Sequence, residues 1–259
     1  VMHGPGILEH PAASTGILDG NPFHEEALEI ARMAGVDFNL NVSLDENRQV
    51  IGVFSGDIND AHREGCAFVE ERVRVDVDPA PIVVTTCAGH PLDQTFYQAI
   101  KGPVGALDAV QEGGSIVLMA ACNEGIGSPP FEKLMHDTTD LKDFVEGLYD
   151  PAKFVIDQWQ LEELAKVTRK ASVYCFTDGI NDDVLKRLFV TPVASPEEGI
   201  RRALEHHGAD ARILAIPEGP YVMPVANQIS KEKSKKEKQK NHHQIKKEQE
   251  EQKNKHNTP

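Results

Sequence analysis

Pro81-Ile-Val-Val-Thr-Thr-Cys-Ala-Gly-His-Pro-Leu-Asp-Gln-Thr-Phe-Tyr-Gln-Ala-Ile-Lys-Gly102 decides the fold. Its β-branched opening, Pro81 to Thr86, predicts a buried strand. Gly89 and Pro91 stop that strand in a loop. A helix over about 94–111 follows, with Asp93 and Gln94 at its first turn and Tyr97, Gln98 and Lys101 further along. Gln98 and Lys101 are three residues apart and share a helical face. An amide beside an ammonium, just past the carboxyl end of a parallel strand, suits a small carboxylate. The spacing alone nonetheless favours an ordinary solvated helix face over a site.

Working outward, the segment from about Asp78 to Pro217 alternates strand and helix. Strands are expected at Ile82–Thr86, Ser115–Ala121, Ser172–Phe176 and Arg212–Ile216, with a short one at Leu188–Val190. Helices are expected at about 94–111, 130–147, 153–168, 181–187 and 196–207. Near-continuous apolar runs such as Ile116-Val-Leu-Met-Ala-Ala121 suit strands covered on both faces. The fold class is therefore α/β, a Rossmann-like doubly wound parallel sheet. Its ligand edge is the set of loops Cys87–Asp93, Cys122–Ser128 and Thr177–Asn181.

Residues 1–77 read as part of a second α/β domain. Asn21 caps a helix through Met33, with Pro22 at its first position and Gly35 ending it. Phe38–Leu44 and Val50–Gly56 form a hairpin around Asp45–Arg48, and a helix runs from about Ile58 to Arg72. One hairpin with two helices leaves a sheet face uncovered. The expectation is an incomplete amino-terminal domain (1–77), a Rossmann-like domain (78–217), a return segment (218–227) and a tail (228–259). The whole is read as the back portion of a longer protein, with an exposed hairpin face prone to self-association. The tail, rich in Lys, Glu, Gln, His and Asn, is expected to be disordered. It reads as a solvated appendage rather than an RNA-binding arm, and its His242-His243 pair as incidental.

The 259 residues carry a formal charge of −14, of which residues 231–259, with 10 Lys+Arg and 5 Asp+Glu, contribute +5. An acidic folded part argues against nucleic-acid binding. No apolar run approaches the roughly 20 residues of a membrane span. Val1-Met-His-Gly-Pro-Gly6 has no signal-peptide pattern. Cys66, Cys87, Cys122 and Cys175 lack paired spacing and read as reduced thiols of a cytoplasmic protein. Gly125-Ile-Gly127 and Gly113-Gly114 complete neither a dinucleotide fingerprint nor a P-loop, and no GxSxG elbow occurs. His3, His10 and His24 match no ligand signature, and by spacing each reads as structural.

Five stretches go further. They are Leu18-Asp-Gly-Asn-Pro-Phe-His-Glu-Glu26, Ala31-Arg-Met-Ala-Gly-Val-Asp-Phe-Asn-Leu-Asn-Val42, Gly89–Gly102, Gly113–Gly127 and Pro217-Glu-Gly-Pro-Tyr-Val-Met-Pro224. In this order they resemble the nickel-dependent lactate racemase family, from His3 to Pro224. The resemblance implies racemisation or epimerisation of a small 2-hydroxy acid. The implied cofactor is a nickel pincer nucleotide, nickel pyridinium-3,5-bisthiocarboxylic acid mononucleotide, which takes hydride from the substrate's alpha carbon and returns it to either face. It implies His3 as a nickel ligand, Tyr97, Gln98 and Lys101 on the substrate-contacting helix, and Trp159 as an aromatic near the site. The family's tether lysine, acid/base histidines and cofactor-phosphate contacts would lie upstream of Val1, so no catalytic residue is assigned within this chain. Cys87 and His90 depart from the family pattern, commonly Asn and Tyr, which bears on substrate choice. Two alternatives stand beside this reading: an inactive carboxylate-binding relative, and a nicotinamide-dependent oxidoreductase, the latter disfavoured by the missing glycine fingerprint. Oligomeric state is left open.

Overall fold

The computed structural model describes residues 3–227; the expectation for the tail falls outside them. The chain begins with α1 (Pro5–Leu8) and α2 (Pro22–Met33). Asn21 caps α2 by accepting from the Phe23 N–H, and Gly35 follows it at φ +70°. Next come β1 (Asn39–Leu44) and β2 (Val50–Gly56), antiparallel around the Asp45–Arg48 turn, with Val42 opposite Val53. Then α3 (Ile58–Val73), capped by Asp57, leads into β3 (Arg74–Val77).

The hairpin is amphipathic in an inverted sense. Leu40, Val42 and Leu44 point outward and are more than half exposed, as are Val50 and Val53 across the turn. The face turned to α3 carries Asn39, Asn41 and Ser43, with Phe54 as its buried apolar anchor against Phe68 (ring centroids 5.2 Å apart). The uncovered sheet face expected from the sequence is thus the apolar one.

The remaining elements are β4 (Ala80–Thr86), α4 (Phe96–Ala99), α5 (Lys101–Gly105), β5 (Val110–Met119), α6 (Pro129–Asp137), α7 (Leu141–Gly147), α8 (Gln158–Lys170), β6 (Ala171–Phe176), α9 (Asp182–Leu185), β7 (Thr191–Pro192), α10 (Pro196–His207), β8 (Ile213–Ile216) and β9 (Met223–Ala226). Five strands make one parallel sheet in the order β7-β6-β5-β4-β8. Gly199 of α10 faces the Val117 side chain, whereas Gly102 of α5 faces Leu118. Successive strand residues point to opposite faces, so α10 and α5 cover different sides of β5 and the sheet is covered on both. This is the doubly wound α/β class read from the sequence. Strand order runs one way from β4 to β7 and then reverses to β8. The crevice beyond the carboxyl ends of β4 and β8 is therefore a topological switch point, where such sheets bind ligands. After that crevice the chain returns, and β9 pairs in parallel with β3, Met223 opposite Arg74.

Several elements differ from expectation for local reasons. The helix expected over 94–111 is split into α4 and α5 at Ile100. Pro103 has no N–H for the Ala99 carbonyl, and its ring crowds that carbonyl. The helix expected over 130–147 is two, because Asp140 caps a fresh start by accepting from the Lys142 and Asp143 N–H groups. The one expected over 153–168 is a short 3-10 turn at Pro151–Lys153 and then α8. The short strand expected at Leu188–Val190 is the two residues of β7 instead.

Candidate active site

Beyond β4 the backbone bends sharply, with Ala88 and Gly89 at φ +59° and +69° and a cis His90–Pro91 bond. Thr86 secures the bend: its hydroxyl accepts from the Ala88 N–H at 2.9 Å and donates to the Pro217 carbonyl, across the switch point. The loops after β4 and β5 are then joined by backbone bonds. Cys122 N–H donates to the Asp93 carbonyl (2.7 Å), Glu124 to Gln94 (2.7 Å), Phe96 to Gly125 (2.9 Å) and Tyr97 to Ile126 (2.8 Å). The Asp93 carboxylate, only 9% exposed, accepts from the Ala121 N–H at 3.0 Å. Thr95 caps α4 by accepting from Gln98 N–H. Helix α4 begins only at Phe96, whereas the sequence puts Asp93 in the first turn of a helix. Its anchoring role was hidden because Ala121 lies 28 residues away.

These ties fix the residues picked out in the sequence. Tyr97 accepts a hydrogen bond from Trp159 Nε1 at 2.9 Å, and its ring meets Phe131 edge-on at 5.1 Å. Burial raises the Tyr97 phenol above its ordinary pKa, keeping it a neutral hydroxyl. The His3 ring lies 5.0 Å from Trp159 and 5.7 Å from Phe23. Three segments far apart in sequence thus converge in one line of rings: the start of the chain, α4 and α8. Gln98 Oε1 is buried without a hydrogen-bond partner. Lys101 is exposed at the next turn. Cys87, wholly buried, contacts the Gln98 carbonyl through its thiol at 3.0 Å. Burial pushes that thiol up to about 11, while the Lys101 charge pulls the other way. Cys87 is therefore a neutral packing group beside Lys101. His90 closes the same loop at the cis bond.

The other histidines sit apart from this line. His10 accepts from Ala12 N–H. His24 stacks on His62 at 5.1 Å with its Nε2 buried and unpartnered, and burial, His62 and Arg63 all lower its pKa. Among the described residues no three His, Cys, Asp or Glu side chains are grouped to hold a metal ion. The ring cluster offers one imidazole, which suits a metal that arrives with donors of its own. Among those residues no helix is long and apolar enough to cross a membrane.

The fold is that of an α/β protein with an amide and an ammonium on the segment after β4, beside the switch point of its parallel sheet, and an aromatic line running from Tyr97 through Trp159 to His3. Residues 75–224 match the lactate racemase C-terminal domain, and the chain belongs to that family. It is 32% identical over 223 residues to the lactate racemase of Thermoanaerobacterium thermosaccharolyticum and 32% identical over 219 residues to that of Lactiplantibacillus plantarum. These matches cover 85% and 84% of this chain, and 52% of each relative. The chain thus spans about half the length of the curated relatives it matches. The solved lactate racemase apoprotein from Thermoanaerobacterium thermosaccharolyticum superposes with a TM-score of 0.80 at 31% identity, covering 88% of this chain and 54% of that one. A Thermotoga maritima protein, at 16% identity, TM-score 0.60, and coverage of 80% of this chain and 54% of its own, shares the fold.

Proposed function

We propose that this chain is the carboxyl-terminal portion of a cytoplasmic enzyme that racemises or epimerises a small, lactate-like 2-hydroxy acid with a nickel pincer nucleotide. The observation that carries this is the convergence of His3, Trp159 and Tyr97 beside Gln98 and Lys101, in a chain of the lactate racemase family. The apolar outer face of the hairpin supports the chain's being one portion of a longer fold. In this reading residues 1–77 belong to an amino-terminal domain, 78–217 form the Rossmann-like domain, and 218–227 return to the first. The crevice between them takes the substrate, and the acid/base histidines belong to the upstream portion.

Each residue's part follows from its chemistry. Lys101 and the Gln98 side-chain Nε2 hold the carboxylate, one by charge and one by donating a hydrogen bond. Tyr97 has an oxygen already accepting from Trp159, so its own proton is left to donate. Trp159 and Phe131 fix that hydroxyl and exclude water on one side. His3 would complete the coordination of the nickel through one ring nitrogen. When bound, the cofactor supplies a hydride acceptor for the substrate's alpha carbon. With the carboxylate held, the alpha carbon could still turn about its bond to the carboxylate, so that either face would be presented to the acceptor at a similar distance.

The test is interconversion of D- and L-lactate by the complete, nickel-loaded protein. Lys101→Ala removes a charge-assisted contact of about 1.5–3 kcal/mol, which corresponds to a fall of about one to two decades in kcat/KM. Unchanged kinetics in that variant would remove Lys101 from the site.

A further inference from the structure

Helix α8 carries a buried carboxyl group for which the reading above has no use. Glu162 is wholly buried, and neither carboxyl oxygen has a hydrogen-bond partner. Its position on the helix is informative. Trp159, one turn before it, touches His3, and Arg169, two turns after it, holds both oxygens of Glu9 at 2.9 Å. At 100° per residue, Trp159, Glu162, Lys166 and Arg169 share one stripe of α8. The segment His3–Glu9 therefore lies along this stripe as a strap, tied at its two ends, with Glu162 beneath its middle.

The charged groups facing Glu162 are Glu163, Lys166 and Arg169 from α8 and Glu9 from the strap. The two cations are engaged elsewhere, Lys166 by Glu163 at 2.6 Å and Arg169 by Glu9. Neither reaches Glu162 as a partner. Burial raises this carboxyl to about 7, opposed by the Lys166 and Arg169 charges and reinforced by Glu9 and Glu163.

We propose that Glu162 is a positioning residue for the His3 segment: protonated, it lets the strap seat flush on α8, and its ionisation lifts the strap and the imidazole that the strap carries. A charge buried without a partner must be hydrated or neutralised. Helix α8 cannot move to admit water, because Leu161, Leu164, Ala165 and Val167 hold it in the core at 0–1% exposure. The strap can, being a single helical turn held by the one buried side chain of Ile7, ring contacts and one ion pair whose Arg169 side chain is half exposed. In the lifted state the carboxyl regains an ordinary acidity near 4.5. Opening therefore grows by about tenfold per pH unit between about 4.5 and about 7 and levels off above that. The coupling to metal binding rests on the assignment of His3 above; the seating of the strap does not.

Hydrogen exchange of the intact chain tests this directly. The Ile7, Leu8 and Glu9 amides are bonded to Gly4 and Pro5 carbonyls and report strap opening. Between pH 5 and 7.5 their protection, corrected for intrinsic rates, should fall by about two decades. In Glu162→Gln it should stay constant, and also in Glu162→Met, which serves if the amide folds poorly. A His3→Phe/His10→Ala double variant, which retains a ring against Trp159, should keep the wild-type dependence, so that the strap's own histidines are not its source. The same dependence in both Glu162 variants, its loss in the histidine variant, or constant protection in the wild type would overturn the proposal. Nickel(II) titration of the complete protein separates the two readings. If the strap opens as described while nickel affinity stays constant over this range, His3 is not the ligand and Glu162 still seats the strap.

Discussion

Replacing Asp93 tests whether the candidate site is held by its loops. Asp93→Ala deletes the carboxylate that accepts from Ala121 N–H and leaves that donor without its partner, while the backbone bonds from Cys122 and to Gly89 remain available. A hydrogen bond to a charged group contributes about 1.5–3 kcal/mol. In a domain of this size 1 kcal/mol corresponds to about 2–4 °C in Tm. Asp93→Ala should therefore melt about 3–12 °C below the wild type. Asp93→Asn retains an acceptor of the same shape without charge and should lose about half as much. A second readout separates charge from packing. The Asp93 carboxylate helps to raise the buried Cys87 and Cys122 thiols, each pushed up to about 11. Both variants should lower those values, seen as earlier growth of thiolate absorbance on alkaline titration. Melting of Asp93→Ala within 1 °C of wild type (well below the ~3 °C minimum expected), with unmoved thiol titrations, would show that Asp93 does not anchor the loop.

Three further outcomes follow from particular contacts. Glu162 binds a proton in the folded state at pH values where the unfolded chain has released it, so stability falls as pH rises from about 4.5 to about 7 and is flat above. At about 1.4 kcal/mol per pH unit this is about 3 kcal/mol, and urea unfolding at pH 5 and 8 should show it in the wild type but not in Glu162→Gln. Gly102→Ala would bring a methyl within 2.7 Å of the Thr86 carbonyl oxygen, so despite Ala's better helix propensity it should cost about 1–3 kcal/mol in a thermal melt. Val42→Lys with Val53→Glu places an opposite-charge pair on the exposed hairpin face, and light scattering should show less self-association at nearly unchanged Tm; equal scattering from both proteins would mean this face is not the sticky one.

Sequence alone determined the features whose causes lie within a few residues. Asn21 caps α2 because a side-chain oxygen needs only a backbone N–H two residues on. Apolar β-branched runs read as β4, β5 and β6 because strands covered on both faces require them. The uncovered apolar face of the hairpin was equally legible, because one hairpin with two helices cannot cover both sides of a sheet. Only the tertiary structure shows which candidate site residues come together. It brought His3 against Trp159, 156 residues later, and Trp159 against Tyr97, 62 residues earlier. It also buried Glu162 of α8 with neither carboxyl oxygen hydrogen-bonded. Burial and pairing are properties of the whole packing, so a carboxylate's neighbours, and hence its charge, appear only once the chain has closed around it.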